Sequence, residues 1–365
     1  MDSGLLTADL EAHKKQVRPQ NPAFGALQIR YLVPVFIKKS NQLRDAWLNM
    51  IDNNLEGVEI DVLSWLGRVT LDIIGSAGFG YDFNSIKNEG ENELAKAFKR
   101  LFNWDKDITI RMLVEATLHY FLRFPSKGSR ELDASLASMH RIGKQLIDDK
   151  KKVIQNDVKN NAELQGRDLL TLLIKSNITA QEERSNENQL MSDEAVLGQI
   201  STFFVAGHET TSTATAWALH ALTQHPEIQA HLRQESQTSG LGDEPSMSDL
   251  DKHPYIDAFV RETLRIHAVV PVIGRETTVD VVVPVGEEFK DRNGVPRKEI
   301  RMQKGDAVWV PLLRMNQAKD VWGEDAMEFK PERWNDLPEA AKEIPGVWGN
   351  IMTNALVYRL PIRGY

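Results

Sequence analysis

The chain of 365 residues carries 44 Lys and Arg against 52 Asp and Glu, a formal net charge of -8, a balance that argues against a phosphate-binding nucleic-acid partner. It contains no cysteine, which excludes disulfide scaffolds, Cys-ligated zinc, thiol catalysis and any thiolate ligand to iron drawn from these residues. No stretch approaches the about 18 consecutive apolar residues of a membrane span, and Met1 to Leu10 is too polar for a signal peptide. With 41% hydrophobic residues and eight Trp the chain has the apolar mass to pack a core.

Helix is the dominant expectation over the first two thirds, where apolar residues recur at three and four, as in Val58 to Ala77 and Leu132 to Ile154. Lys87 to Asn92, Phe124 to Gly128 and the polar run Gln155 to Gly166 read as loops. A helix opens at Ser192 as N-cap, with Asp193 and Glu194 in its first turn, and runs towards Leu222 before Pro226; it is expected to be the longest and central element. After a break from Ser239 to Ser248, another helix is expected from about Leu250 to His267, ended by Pro271. Val279 to Val285, Glu299 to Met302 and Ala307 to Val310 are short, β-branched and punctuated by Pro and Gly, the pattern of a small antiparallel sheet. The expected organisation is one mainly α domain with a small antiparallel β region: helical to about 270, a β region and meander to about 350, and an aberrant tail over 354–365.

Three motifs carry chemistry. Ala206-Gly207-His208-Glu209-Thr210-Thr211 sets a costly Gly and β-branched Thr residues inside a helix. A Thr hydroxyl can bond back to the carbonyl four residues earlier and bend the helix, opening a notch beside Glu209 and Thr210. The run is equally explained by a Gly needed for close helix packing beside a locally satisfied Thr pair. His208-Glu209 begins like the zinc-protease His-Glu-x-x-His motif, but the second His position is Ser212, so that metal site cannot form. Glu262 and Arg265, three apart, share a helix face among apolar neighbours and can pair bidentately. Phe329-Lys330-Pro331-Glu332-Arg333-Trp334 is a Pro-fixed turn presenting a second Arg.

In this order and at these separations, the motifs resemble those of the cytochromes P450, haem-thiolate monooxygenases, of fungal type. That family carries Ala/Gly-Gly-x-Asp/Glu-Thr-Thr/Ser in its oxygen-activating helix, Glu-x-x-Arg in the next long helix and then a Pro-Glu-Arg-Phe/Trp turn. The resemblance implies a P450 fold, haem b, electrons from an NADPH-dependent P450 reductase and oxidation of an apolar small molecule by one atom of dioxygen. It gives Glu209 and Thr210 proton delivery, and Glu262, Arg265 and Arg333 a buried structural triad. Ala206 and Gly207 would lie beside the haem, with Arg275, His13 and Arg18 near its propionates. Phe203, Val269, Val270, Val272 and Ile273 would line the substrate pocket.

Both ends depart from the family pattern. Val17 stands where the family has an Arg, Pro19 interrupts that stretch, and about the first quarter of a usual member is expected to be missing. Pro345 to Asn350 matches what fungal members carry before the haem-binding loop, yet Asn354 to Tyr365 holds no Phe-x-x-Gly-x-Arg-x-Cys-x-Gly. A frame change, retained intron or alternative exon after about Thr353 would account for the switch. Without a proximal Cys no metal ligand is assigned, and the expectation is an inactive chain; the alternative is a non-catalytic fragment or a pseudoenzyme that binds a partner or ligand. Members usually sit at the endoplasmic reticulum membrane, whereas no anchor is recognised here, which leaves the cytoplasm or an unknown location.

Overall fold

The structure is a computed structural model that describes residues 25–54, 56–88, 127–159, 168–182, 192–344 and 350–351. Its backbone divides into two compact units, Met1–Ser212 with Leu241–Lys252, and Thr213–Gly240 with His253–Tyr365.

In the first unit, helix α1 (Ala26–Asp52) precedes α2 (Val62–Ile74), whose N-cap Asp61 accepts from the Ser64 amide at 3.0 Å. The helix expected over 58–77 starts at this cap and changes pitch after Ile74, where Gly75–Phe79 forms a π-helical turn. Tyr81 N donates to Gly75 O at 2.9 Å. Only glycine fits at 75, since a Cβ there would overlap the Phe83 ring and lie 2.6 Å from Tyr81 O. The π turn seats Phe79 against Phe204, with ring centroids 4.3 Å apart.

Helices α3 (Lys127–Lys159) and α4 (Leu169–Glu182) follow. Two loop expectations are corrected here: Lys127 and Gly128 belong to the first turn of α3, and the charged run from Gln155 stays helical to Lys159. A helix end rich in charged residues looks like a loop in composition, and α3 buries Ile147 and Ile154. Helix α5 (Asp193–Gln224) starts where expected, the Ser192 hydroxyl accepting from the Ala195 amide at 3.1 Å. At 32 residues it is not the longest element, since α3 has 33. Phe79, Phe83, Ile147, Leu170, Leu173 and Phe204 are central to the core of this unit.

The second unit contains the C-terminal part of α5 and α6 (Pro226–Thr238). The helix expected over 250–267 is two elements: α7 (Met247–Leu250), which belongs to the first unit and starts at a Ser246–Asp249 capping box, and α8 (Pro254–Ile266) in the second. Pro254 drives the preceding residue out of the helical region, and His253 sits at φ -112°, ψ 77°. The Glu235 carboxylate of α6 accepts from the Tyr255 and Ile256 amides at 3.0 and 3.2 Å, capping α8 from a neighbouring helix.

Four strands follow: β1 (Ile273–Glu276), β2 (Val281–Lys290), β3 (Pro296–Met302) and β4 (Ala307–Val310). They make two antiparallel pairs rather than the single expected sheet, β2 with β3 and β1 with β4, with Ile273 opposite Val310. Gly305, at φ +92°, and the bond from Gly305 N to Thr277 O turn the chain after β3 onto the overlooked strand β1. Short helices α9 (Leu312–Asn316), α10 (Lys319–Trp322) and α11 (Glu339–Lys342) and the 3-10 turn Pro331–Asn335 complete the described part. A mainly α fold with a little antiparallel β is what the sequence led us to expect.

Candidate functional site

Ala206, Gly207, Glu209 and Thr210 lie on one turn of α5 in the first unit. Thr210 Oγ1 donates back to Ala206 O, the local bond anticipated from the sequence, and Ser212 Oγ donates to Glu209 O at 3.0 Å. Gly207 faces α2, where an added Cβ would come to 3.0 Å from Ile74 Cδ1, so a larger residue there would fit only if that side-chain end moved by a few tenths of an ångström. The close approach at Gly207 and the locally satisfied Thr210 are the features of the packing reading of the hexapeptide. The Glu209 side chain is 55% exposed. Phe203 is partly buried and packs on the core cluster of the first unit.

Of the residues assigned to the substrate pocket in the second unit, Ile273 is buried with Leu312, and Val270 packs against that pair. Val269 is half-buried, whereas Val272 is exposed. Burial of Ile273 makes it part of a small core here. Arg275 is exposed on β1 and donates through Nη1 to Gly274 O at 2.9 Å. His13 and Arg18 lie outside the described residues, as do 345–349 and the tail over 354–365. One cavity of the first unit, lined by Ile147, Lys151, Ile174, Asp193 and Val196 among others, involves none of the catalytic, cofactor or substrate residues assigned from the sequence.

The Glu262, Arg265 and Arg333 cluster is the best-defined polar assembly of the second unit. Glu262 and Arg265 have fully buried side chains and pair through two bonds, Nε to Oε2 at 2.8 Å and Nη2 to Oε1 at 2.7 Å. The remaining guanidinium donors reach Asn316 O at 2.8 Å, Ala326 O at 2.6 Å and Glu328 O at 3.1 Å, so every N–H of Arg265 is used. Its plane also lies 4.9 Å from the Trp322 ring centre. The Glu262 carboxylate accepts further from Lys330 N at 2.9 Å and Trp334 Nε1 at 3.1 Å. Arg333 Nε stands 3.5 Å from Glu262 Oε1, too long for a strong bond, and the principal partner of Arg333 is Asp325, at 2.6 Å.

Sequence reasoning missed Asp325, which lies in no motif. Trp334 was inside a quoted motif, but nothing in the pattern showed that its indole N–H would point at Glu262. The hydrogen bond from Arg333, joined by one from Lys330, holds the Asp325 carboxyl down at about 2, below its ordinary 3.8. The folded value lies below the unfolded one, so the native state binds fewer protons; this stabilisation is complete above the ordinary value and is lost as pH falls through about 2. Asp325→Asn should therefore lower the thermal midpoint near neutral pH, and its deficit against the parent should close as the solution is acidified. A deficit that is the same at all pH values would mean that the carboxylate charge is not what holds Arg333.

The comparisons agree with these motifs. The family model described as cytochrome P450 matches residues 1–344. Cytochrome P450 monooxygenases 205 and 128 of the fungus Postia placenta are 44% and 41% identical, each over 97% of this chain. A ganoderic acid synthetase of Ganoderma lucidum is 33% identical over 96% of the chain. The chain spans 65% of the length of the two Postia relatives and 66% of the Ganoderma one.

Proposed function

We propose, because the chain belongs to the cytochrome P450 family, that it carries the scaffold of a haem monooxygenase acting on an apolar organic substrate. In this reading haem b is the cofactor, and electrons come from an NADPH-dependent reductase. The observation that carries it is the buried Glu262–Arg265 pair with Arg333 beside it, since the pair has every donor of Arg265 and both oxygens of Glu262 bonded and is costly to assemble in a place without water. Glu209, exposed beside the back-bonded Thr210, is suited to pass a proton outwards. Arg275, which among the described residues donates to Gly274 O, carries the guanidinium donors that suit an anionic propionate. A family site at the endoplasmic reticulum belongs to the same reading; among the described residues no helix is long and apolar enough to cross a membrane.

The iron-donor set does not fit. The family's thiolate requires a cysteine, and these 365 residues contain none. Among the described residues there is also no group of three or more His, Asp or Glu able to hold a metal ion. These residues by themselves are therefore assigned no turnover, and their chemistry is confined to scaffold, proton positioning and packing. The lack of a thiolate favours the second reading, a non-catalytic chain that binds a ligand or partner.

Haem titration of the purified 365-residue chain tests both readings. Reduced protein under carbon monoxide should lack the strongly red-shifted Soret band that thiolate ligation produces. Appearance of that band would overturn the assignment of no turnover. Retention of haem without it would favour the scaffold reading over a chain unrelated to haem.

A further inference from the structure

The cavity of the first unit lies among α3, α4 and the first turn of α5, and each helix lines it with residues a turn apart. On α3 these are Ile147 and Lys151, on α4 Ile174 with Asn177 and Ile178, and on α5 Val196 with Ser192 and Asp193. Residues three or four apart share a helix face, and their burial orders them by depth. Ile147, Ile174 and Val196 are each 2% exposed and belong to the core of the unit. Asn177 and Ile178 are half-buried, and Ser192 is exposed. The floor is thus aliphatic and the mouth largely polar. Lys151 Nζ donates to both oxygens of Asp193, at 2.6 and 2.7 Å, so the two charges at the mouth are matched to each other.

We propose that this cavity is a binding site for a small neutral amphiphile, a monocyclic alcohol or phenol, with its ring against Ile147, Ile174 and Val196 and its hydroxyl at the mouth beside Asn177 and Ser192. The volume is 220 Å³, and a cavity of about 150 Å³ lined by Leu, Ile and Phe already takes up benzene, so a six-membered ring with one substituent fits. Burying that ring on the aliphatic floor is favourable. A charged head would be desolvated beside an ion pair that is already complete, with no counter-charge of its own, which selects against ions. A hydroxyl needs only the amide and hydroxyl groups that Asn177 and Ser192 bring to the mouth. Val196 stands about 20 Å along α5 from Glu209, so the site is separate from the turn that carries Glu209 and Thr210 and is independent of haem.

The test is carbon-13 methyl NMR of the isoleucine-labelled 365-residue chain titrated with cyclohexanol, the resonances being assigned through Ile147→Val, Ile174→Val and Ile178→Val. The expected result is a saturable shift at these three methyl groups, while Ile228, in a core cluster of the second unit, stays in place. Cyclohexanecarboxylate and cyclohexylammonium carry a charge where cyclohexanol has its hydroxyl, and each should bind roughly tenfold more weakly or worse. Ile178→Phe sets a larger side chain at a half-buried position and should abolish the shifts at Ile147 and Ile174. Shifts that grow without saturation, or that appear alike at all isoleucines, would show the alcohol acting as a cosolvent only and would overturn the proposal. Equal binding of either ion, or undiminished binding to Ile178→Phe, would overturn it too. The comparison of the three ligands uses the parent chain, so it decides the matter even where that variant fails to fold. No readout involves haem, so failure of this inference and failure of the haem scaffold reading are told apart by the titration described above.

Discussion

Glu262→Ala is expected to cost about 3 to 5 kcal/mol, read as a fall in the urea midpoint, because it strips a fully buried guanidinium of its counter-charge. Four donors converge on the carboxylate: Nε and Nη2 of Arg265, the Lys330 amide and the Trp334 indole N–H. Removing the acceptor orphans all of them in a place water does not reach. The same geometry predicts that Glu262→Gln, which keeps the volume, will not rescue the protein. Each carboxylate oxygen faces only donors, so whichever way the amide is turned its NH2 meets N–H groups, and it has no charge to offset Arg265. A glutamine variant close to the parent would show that packing rather than charge holds this cluster. A loss under about 1 kcal/mol for the alanine variant would place the pair with ordinary surface ion pairs.

The Glu262–Arg265 pair was legible because a spacing of three on an apolar helix fixes both the shared face and its burial. Its completion was not: Asn316, Ala326 and Glu328 offer backbone carbonyls, which no residue type announces. Helix starts set by a side chain, such as Ser192, were readable for the same local reason. Boundaries set by tertiary contacts were not. The π turn after Ile74 exists because Phe83 and Tyr81 close over Gly75, and β1 exists because the turn at Gly305 brings β4 back to it. The charged end of α3 misled because a charge-rich helix and a loop share a composition. On α5 the sequence could not apportion the hexapeptide, since Gly207 serves the contact with Ile74 while Thr210 donates back to Ala206.

Phe204→Ala should cost about 3 to 5 kcal/mol in the first unit, the range for emptying a large buried aromatic site. The ring is 1% exposed, stacked on Phe79 at 4.3 Å and met edge-on by Phe83 at 5.5 Å. Each aromatic pair adds roughly 0.5 to 1.5 kcal/mol beyond area burial. The cavity cannot collapse easily, because Phe79 is held by the π turn and Phe83 stands against Gly75. Its neighbour Phe203 supplies the control: it is only partly buried against the same cluster, so Phe203→Ala should cost clearly less. Phe204→Leu should fall between the parent and Phe204→Ala, refilling part of the volume while losing both ring contacts. Equal losses for the two phenylalanines would mean that the π turn does not hold Phe79 in place and that the core closes over the vacancy.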